Sequence, residues 1–513
     1  MRHTAASFVV MLGVALCADG ALASDAPLAD TSMVTTPTAN TSSAAATASP
    51  DDSTPLQWAV YRDDAAEVKR LLAAGALVSA ANDYGVTAMQ LAAETANTDI
   101  IQMLLKAGAD VESANAEGQT ALMSVARTSN VAAATLLIKH GANVNAAEHF
   151  GGQTALMWAA ARRHPEMVEL LLAQGAHVNA RATVRDFERH ITVEQRYKNT
   201  HTGGLTPLLY AVRENCKACV ESMLRHHAEI LLPDPDGIAP LTLAMMNGNW
   251  DIAKRLLAAG ADVNQWDIYG QSPLHVAIEN AYVGRTGAVN YGSDKAPNDT
   301  DGKDVVRMLV ERGADPNQQM FFRPPKEHGQ VSTSARGTTP FQRACASLDV
   351  DLIQYLLAHG ADAKLATAAG ETSMMVAIEG RGTEDQVIAV LHVLKDAGAD
   401  VNGVQKILYI TRDHGGTALH AATKKGLKKV MAELVALGAN PDIKDEDGLT
   451  ALDYAMSRGW LPALNTRPPP RTDLVKVLRG LGATVELAKT PDWPGEFPPI
   501  GPPRGRESVI WPL

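Results

Sequence analysis

Gly108-Ala109-Asp110-Val111 and Gly141-Ala142-Asn143-Val144 are two copies of a phrase that recurs along this chain of 513 residues. Clean copies lie 33 or 34 residues apart. Ten copies and a degenerate eleventh begin at Gly75, Gly108, Gly141, Gly175, His227, Gly260, Gly313, Gly360, Gly398, Gly438 and Gly482. A period of this size is typical of a stacked array, in which each unit buries its apolar face only against its neighbours.

A second phrase precedes these glycines. Thr54-Pro55-Leu56-Gln57 stands 21 residues before Gly75. Later copies read Thr120-Ala121-Leu122-Met123, Thr206-Pro207-Leu208-Leu209, Ser272-Pro273-Leu274-His275, Thr339-Pro340-Phe341-Gln342 and Thr417-Ala418-Leu419-His420. The phrase resembles the Thr-Pro-Leu-His signature of the ankyrin repeat, and the resemblance covers residues 54–488. It implies an all-α repeat solenoid of about eleven stacked helix-turn-helix repeats with finger loops and insertions.

The physical chemistry of these residues fits that fold. The Thr can cap the first helix by accepting a hydrogen bond from an orphan N–H, and Pro suits the first helical position. Paired small residues such as Ala92-Ala93 let the two helices of a repeat approach closely. The recurring Gly ends the second helix in a left-handed conformation that a side chain disfavours. A short extended finger then leads to the next Thr.

Five insertions interrupt the period. Insertions in such an array map to loops, which often lie on the binding face. They fall near residues 184–201, 282–302, 318–336, 403–413 and 460–471. The first, third and fourth lie in fingers, and the other two lie between the helices of a repeat.

The N-terminus has the form of an export signal. Arg2 and His3 precede an apolar stretch, and Ala21-Leu22-Ala23 has the small-x-small form of a cleavage site. We therefore expect a signal peptide over residues 1–23 and an extracytoplasmic chain, periplasmic or secreted. Cys17 raises a lipoprotein alternative, but the bulky Leu16 before it departs from the small residue that such a site prefers.

The two flanks of the array differ in composition. Residues 24–53 are nearly all Ala, Ser, Thr, Pro and Asp, which predicts a disordered leader. Residues 489–513 are rich in proline and also carry aromatic residues such as Trp493 and Phe497. This tail either covers the open face of the last repeat or serves as a polyproline-type ligand for a partner.

Aromatic residues are concentrated in the predicted fingers and inserts. An apolar ring on a projecting turn is costly unless it contacts something, either a neighbouring finger or a partner. The ten are Tyr84, Phe150, Phe187, Tyr197, Trp266, Tyr269, Tyr291, Phe321, Phe322 and Tyr409. As a set they predict a binding edge.

A second candidate surface follows from the resemblance. In ankyrin-like stacks the two positions after the paired small residues face a concave groove. Here these positions include Arg62, Arg127, Arg162, Arg213, Lys424 and Lys425, opposed by Glu94, Glu214, Glu279 and Glu379. A basic groove on a body of net charge -11 favours a protein partner with an acidic patch and argues against nucleic acid.

Motifs of catalysis and metal binding are missing from the sequence. There is no Gly-x-Ser-x-Gly, no His-Glu-x-x-His, no phosphate-binding glycine loop and no zinc pattern. Asp-rich runs such as Asp234-Pro235-Asp236-Gly237 lack the remaining ligands of a calcium loop and are interpreted as finger turns. We therefore predict no cofactor, no metal and no enzymatic activity.

Three cysteines follow the predicted signal peptide. Cys216 and Cys219 form a Cys-x-x-Cys pair without the His of a haem-attachment site, so a local disulfide or two packed thiols are favoured over redox chemistry. Cys345 replaces a small core residue, and we expect it to be buried.

The resemblance implies protein–protein interaction as the default role. The sequence thus predicts an exported, non-catalytic scaffold that binds a protein partner through its groove and fingers. Two alternatives remain: a carbohydrate or small-molecule binder that uses the aromatic fingers, and an enzyme with a site built in the inserts. The partner and the oligomeric state do not follow from the sequence.

Overall fold

A computed structural model describes residues 52–186, 201–283, 298–321, 337–406, 415–456 and 470–484. All of them belong to one compact unit that spans Ser49–Leu513. The predicted signal peptide, almost all of the leader, the proline-rich tail and the middle of each insert lie outside the described residues.

Helices in the described residues occur as eleven consecutive pairs. The first helices of the pairs are α1 (Pro55–Tyr61), α3 (Ala88–Thr95), α5 (Ala121–Ala126), α7 (Ala155–Ala161), α9 (Pro207–Arg213), α11 (Pro240–Met246), α13 (Pro273–Ile278), α15 (Pro340–Ser347), α17 (Ser373–Glu379), α19 (Ala418–Lys425) and α21 (Ala451–Ala455). The second helices are α2 (Ala65–Ala73), α4 (Thr98–Lys106), α6 (Val131–Lys139), α8 (Pro165–Ala173), α10 (Lys217–Arg225), α12 (Trp250–Ala258), α14 (Gly302–Glu311), α16 (Val350–Ala358), α18 (Glu384–Asp396), α20 (Lys428–Ala436) and α22 (Thr472–Gly480). The prediction of an all-α solenoid of eleven repeats is confirmed.

The first helices begin as the sequence predicts. The Thr54 hydroxyl accepts a hydrogen bond from the Gln57 N–H at 3.2 Å, and the Gln57 side chain accepts one in return from the Thr54 N–H. The same reciprocal cap opens α15 at Thr339. Repeat 6 departs from this pattern, because Ala239 stands at the cap and offers no side-chain acceptor.

The second helices end at glycines in the left-handed region. Gly108 and Gly175 both have a φ of 85°, and the equivalent His227 of the degenerate repeat adopts 62° without a glycine. The backbone conformation is therefore kept even where the sequence phrase is lost, at the steric cost that a side chain meets there.

The core lies between the helices of each repeat and between successive repeats. Each first helix packs against its own second helix and against the first helices of the neighbouring repeats. Ala92, Ala93, Ala159 and Ala160 are fully buried, as expected for small residues where helices approach closely. Larger side chains such as Phe341 fill the remaining space, and each stabilises the fold by roughly 1.5–3 kcal/mol through burial.

Neighbouring fingers are joined through their backbones. The Phe321 N–H donates to the Tyr269 carbonyl at 2.8 Å, and the Ile268 N–H donates to the Asp236 carbonyl at 3.0 Å. The other such bonds run from His149 to Glu117, from Thr183 to Gly151 and from Lys406 to Ala369. These bonds fix each finger against the next.

The insert near residues 184–201 begins and ends as a short antiparallel ribbon. Strand β1 (Val184–Asp186) pairs with β2 (His201–Gly203), with Val184 opposite Gly203 and Asp186 opposite His201. Only the two ends of this insert are described. The ribbon extends the fourth finger instead of forming a separate domain.

The insert between α13 and α14 is attached to the preceding repeat. A π-helix, Glu279–Val283, continues α13 into it. At its other end, the Thr300 N–H donates to Asp251 at 2.8 Å, and Lys217 pairs with the same carboxylate. Burial raises the pKa of Asp251, but the hydrogen bonds from Lys217, Thr300 and Asp299 outweigh it and hold the pKa well below its usual range.

The three cysteines that follow the predicted signal peptide are buried in the array. Cys216 and Cys219 are joined by a disulfide at the start of α10, where the Cys216 sulfur also accepts the Cys219 N–H. Cys345 is a fully buried free thiol in α15, as expected, and burial raises its pKa far above the usual range. Among the described residues, no helix is long and apolar enough to cross a bilayer.

Candidate functional site

Two apolar rings form an exposed cluster on the fingers at either side of repeat 7. Trp266 and Phe321 contact each other edge to face, with ring centroids 5.0 Å apart and ring planes at 90°. Their exposed fractions are 49% and 40%, and the nearby finger residue Ile268 is 41% exposed. We call these three residues the finger cluster. Phe321 belongs to an insert, so the insert contributes directly to this surface.

Tyr269 does not join the cluster. It is one of the predicted finger aromatics, but only 8% of the residue is exposed, so little of its ring is available to a partner. The residue lies in the finger turn, where its carbonyl accepts the Phe321 N–H. Burial, with help from the nearby Asp236 and Asp267 charges, raises the pKa of its hydroxyl to about 12.

Other predicted finger aromatics are exposed but separate. Tyr84 is 54% exposed and Phe150 is 69% exposed. The Arg185 guanidinium lies over the Phe150 ring, 3.5 Å from its centroid, and also donates to the Phe150 carbonyl. The predicted binding residues Phe187, Phe322 and Tyr409 lie outside the described residues.

A second candidate surface runs along the first helices. We call it the inner row and define it as the side chain four positions after the cap residue of each first helix. The inner row consists of Trp58, Leu91, Ser124, Trp158, Tyr210, Leu243, Val276, Arg343, Val376, Ala421 and Tyr454. Aromatic side chains occupy four of these eleven positions, which gives the row several flat apolar faces.

Predicted groove cations lie over these aromatic faces. The charged ends of three cations lie at 4.8–5.1 Å from ring centroids, within the range of a cation–π interaction. The pairs are Arg127 over Trp158, Arg213 over Tyr210 and Lys424 over Tyr454. At the N-terminal end of the row, Trp58 and Tyr61 contact each other edge to face and are both exposed.

The groove cations differ in whether they have a carboxylate partner. Arg213 pairs with Glu214 at 2.8 Å, and Lys425 pairs with Glu379 at 3.2 Å. Among the described residues, Arg62, Arg127 and Arg162 have no carboxylate within 4.0 Å. The basic groove expected from the sequence is therefore partly neutralised by its own acids.

One charged pair on the inner row was missed by sequence reasoning. Arg343 of α15 forms an ion pair with Glu279, and its side chain is only 5% exposed. The sequence places Glu279 among the acids that oppose the groove cations. In the structure, Glu279 neutralises the buried Arg343. This pair joins repeats 7 and 8 and contributes to the core.

Sequence reasoning also missed four aromatic site candidates on the inner row, because it selected only aromatics in fingers and inserts. The four are Trp58, Trp158, Tyr210 and Tyr454. The signal was present in the register of the repeat: each stands four residues after a cap Thr. A residue at this position lies about one helical turn after the cap and on the same side of the helix, and the first helix of the next repeat places another side chain beside it.

A perturbed histidine in the array has a structural explanation. Burial lowers the pKa of His420 to about 4. Its Nδ1 accepts the Thr417 N–H at 3.0 Å and its Nε2 donates to the Leu449 carbonyl at 3.2 Å, so the ring ties a helix cap to the next finger. In the described part of the chain, no group of three or more His, Cys, Asp or Glu side chains could hold a metal ion.

The fold and these surfaces define a class: a helical repeat protein that presents preformed side chains on fingers and on a row of first helices. Family models for ankyrin repeats match residues 39–115, 108–182, 208–320 and 414–446, more than half of the chain. The chain belongs to the ankyrin repeat family. Members of this family typically act as non-enzymatic interaction modules.

Curated relatives match the repeat array of this chain, but each alignment covers only part of the relative. The chain is 28% identical over 232 residues to ankyrin repeat protein nuc-2 of Neurospora crassa, covering 45% of this chain and 20% of the relative. It is 28% identical over 305 residues to the NF-kappa-B p105 subunit of Gallus gallus, covering 55% and 27%. It is 27% identical over 250 residues to ankyrin repeat and SOCS box protein 16 of Mus musculus, covering 44% and 49%. The chain thus spans less than half the length of each of these relatives.

A solved structure resembles part of the array. The ankyrin repeat domain of Bcl-3 aligns with 51% of this chain and with all of that domain, at 24% identity and a TM-score of 0.39.

Proposed function

We propose that this protein is a non-catalytic scaffold that binds another protein outside the cytoplasm. The observation that carries the proposal is the finger cluster, in which the Trp266 and Phe321 rings contact each other on projecting loops and Ile268, two residues after Trp266, is also exposed. Exposed apolar surface of this kind is typical of interaction sites, and aromatic side chains dominate the energetics of protein interfaces.

The backbone supports this role. The Phe321 N–H donates to Tyr269, and the Ile268 N–H donates to Asp236, so the residues that carry the cluster are held by the neighbouring fingers. A partner therefore meets a surface that needs little ordering on association, which reduces the entropic cost of binding.

The extracytoplasmic location rests on the sequence of residues 1–23 and gains support from the Cys216–Cys219 disulfide. Disulfides persist in oxidising compartments and are rare in the cytosol. Fractionation of the source cell tests the location. We expect the chain outside the cytoplasm with Ser24 as its first residue, and a cytoplasmic chain that keeps Met1 would contradict the proposal.

A pull-down from the extracytoplasmic fraction tests protein binding. The mature chain is compared with a variant that carries Trp266→Ser and Phe321→Ser. Leu77→Ser serves as the matched control, because Leu77 is an exposed aliphatic residue on a distant finger.

We expect the same protein to be retained by the mature chain and the control and to be lost by the double variant. Retention by all three chains would exclude the finger cluster as the binding surface. A glycan retained in place of any protein, with loss in the double variant, would favour the carbohydrate-binding alternative.

A further inference from the structure

Arg127 and Arg162 are like charges in neighbouring repeats, and the Arg162 charge acts on Arg127. Arg127 is half-buried at the end of α5, and Arg162 is exposed at the end of α7. Burial lowers the pKa of Arg127, and the Arg162 charge lowers it further, while the more distant Glu94 acts in the opposite direction. The two guanidinium groups thus repel each other without a carboxylate to neutralise them.

Three other cations near the inner row are neutralised within the chain. Arg213 has Glu214, Lys425 has Glu379 and Arg343 has Glu279. Among the described residues, Arg127 and Arg162 have no such partner, and Glu94 on α3 is the one acid that interacts with Arg127. The positive charge at α5 and α7 is therefore available to a ligand.

The Arg127 side chain is preorganised. Its guanidinium lies over the Trp158 ring, 5.1 Å from the centroid. Its backbone carbonyl accepts a hydrogen bond from His164 Nε2 at 3.0 Å, which ties the end of α5 to the start of α8. The backbone N–H of Arg162 donates to the Trp158 carbonyl, so Trp158 and Arg162 lie one turn apart at the end of α7, the first helix of the repeat that follows the repeat of α5.

We propose that Arg127, Arg162 and Trp158 form a carboxylate-binding site for an acidic segment of the partner protein. This inference rests on the proposed function and adds the chemistry of the partner. A guanidinium presents parallel N–H groups that match the two oxygens of a carboxylate, and stacking on the indole leaves those N–H groups directed outward around the edge of the plane.

An acidic peptide suits this site better than a nucleic acid. The chain has a net charge of -11, so a polyanion that must approach the whole surface is repelled. A short acidic segment of a protein brings its carboxylates to the two arginines without placing negative charge along the rest of the surface. Half-burial of Arg127 strengthens the attraction, because water screens the pair less than on an open surface.

Fluorescence anisotropy with a labelled synthetic peptide of alternating Glu and Ser tests the site on the mature chain. A peptide of alternating Gln and Ser and a single-stranded oligothymidylate of matching length are the comparison probes. The variants are Arg127→Gln and Arg162→Gln, and Arg213→Gln is the matched control, because Arg213 also lies over an aromatic ring but already pairs with Glu214.

We expect the Glu peptide to bind and the Gln peptide to fail. Arg127→Gln should weaken binding by about tenfold, the loss of one charged hydrogen-bonded contact, and Arg213→Gln should change it by less than about threefold. Circular dichroism melts establish that the variants fold. Equal binding of the Gln peptide, equal losses in Arg213→Gln and Arg127→Gln, or tighter binding of the oligothymidylate would overturn the proposal.

The outcome separates this inference from the proposed function. If the partner found in the pull-down is lost with the finger-cluster variant but kept by Arg127→Gln, the scaffold stands and the carboxylate site is rejected. If Arg127→Gln loses both the partner and the Glu peptide, the site is part of the interface.

Discussion

The N-terminal section of the array, repeats 1 to 4, and the central section, repeats 5 to 8, differ in how their charged residues are paired. In the N-terminal section Arg127 and Arg162 have no carboxylate partner among the described residues, and the first two finger turns are built on the neutral side chains Asn82 and Asn115, whereas the third is built on the buried Glu148 carboxylate. In the central section Arg343 is buried against Glu279, and two finger turns are built on carboxylates, the half-buried Asp234 and the buried Asp267.

The difference shows that residue type alone does not assign a role within a repeat. An arginine on a first helix stabilises the fold when its neighbour supplies a carboxylate and is available to a ligand when none does. Burial and partner decide which role applies, and both depend on the adjacent repeat.

The largest effect is expected from breaking the buried ion pair of the central section. Arg343→Met breaks this pair from one side and takes the arginine away from the largely buried Glu279 carboxylate, which costs about 3–5 kcal/mol. Urea unfolding followed by circular dichroism measures the loss. Because a repeat array can unfold in parts, the transition of repeats 7 and 8 is the one to compare.

Arg162→Met is the control in the N-terminal section, since Arg162 is exposed and has no carboxylate partner among the described residues. It should change stability by no more than about 0.5 kcal/mol. The double variant Arg343→Met with Glu279→Leu should recover most of the loss, because it removes both charges together. Equal costs for Arg343→Met and Arg162→Met would remove the distinction between the two sections.

A smaller effect is expected from the carboxylates in the central finger turns. Burial raises the pKa of Asp267 to about 6, although hydrogen bonds from the Gln271 and Tyr269 N–H groups lower it. The pKa in the unfolded chain is about 4. The carboxyl's contribution to stability is therefore fully present below about pH 4 and is lost as the pH rises through about 6.

Asp267→Asn copies the neutral side chain found at Asn82 and should add about 1–2 kcal/mol at pH 7. The gain should vanish near pH 4, where the native carboxyl is protonated. Urea unfolding at both pH values measures it, with Asn82→Asp as the reverse substitution. A gain of the same size at pH 4 and pH 7 would show that the Asp267 charge is not the cause.

The smallest effect is expected at the cation–π pair of the N-terminal section. Arg127→Met removes the charge over Trp158 but keeps an apolar side chain against the ring, so the cost should be at most about 1 kcal/mol. Thermal unfolding measures it. A cost near that of Arg343→Met would mean that Arg127 supports the fold and is not reserved for binding.

Most of the fold could be predicted from the sequence because its signals are local. Thr54 caps a helix within its own turn, and Gly108 ends one within its own finger, so neither depends on distant residues. Because the cap and glycine phrases recur in successive repeats, counting them gives the number of repeats. The degenerate His227 was also placed correctly, because the spacing survives where the residue does not.

The candidate site was harder to predict because it depends on contacts between repeats. Tyr269 looks like Tyr84 in sequence, yet only 8% of Tyr269 is exposed, whereas 54% of Tyr84 is. Glu279 and Arg343 are 64 residues apart and meet only because first helices stack. Contacts of this kind require the register of neighbouring units and the path of each insert.

The finger tips have a consequence for how this protein can change over evolutionary time. Gly270 and Gly370 have positive φ, and a Cβ atom at either would lie within 3 Å of the backbone of the next finger. The spacing of the fingers is therefore protected against substitution, while the outward residue Trp266 a few positions away is free to vary. Mutation can replace what the array recognises without changing the distances between its points of contact.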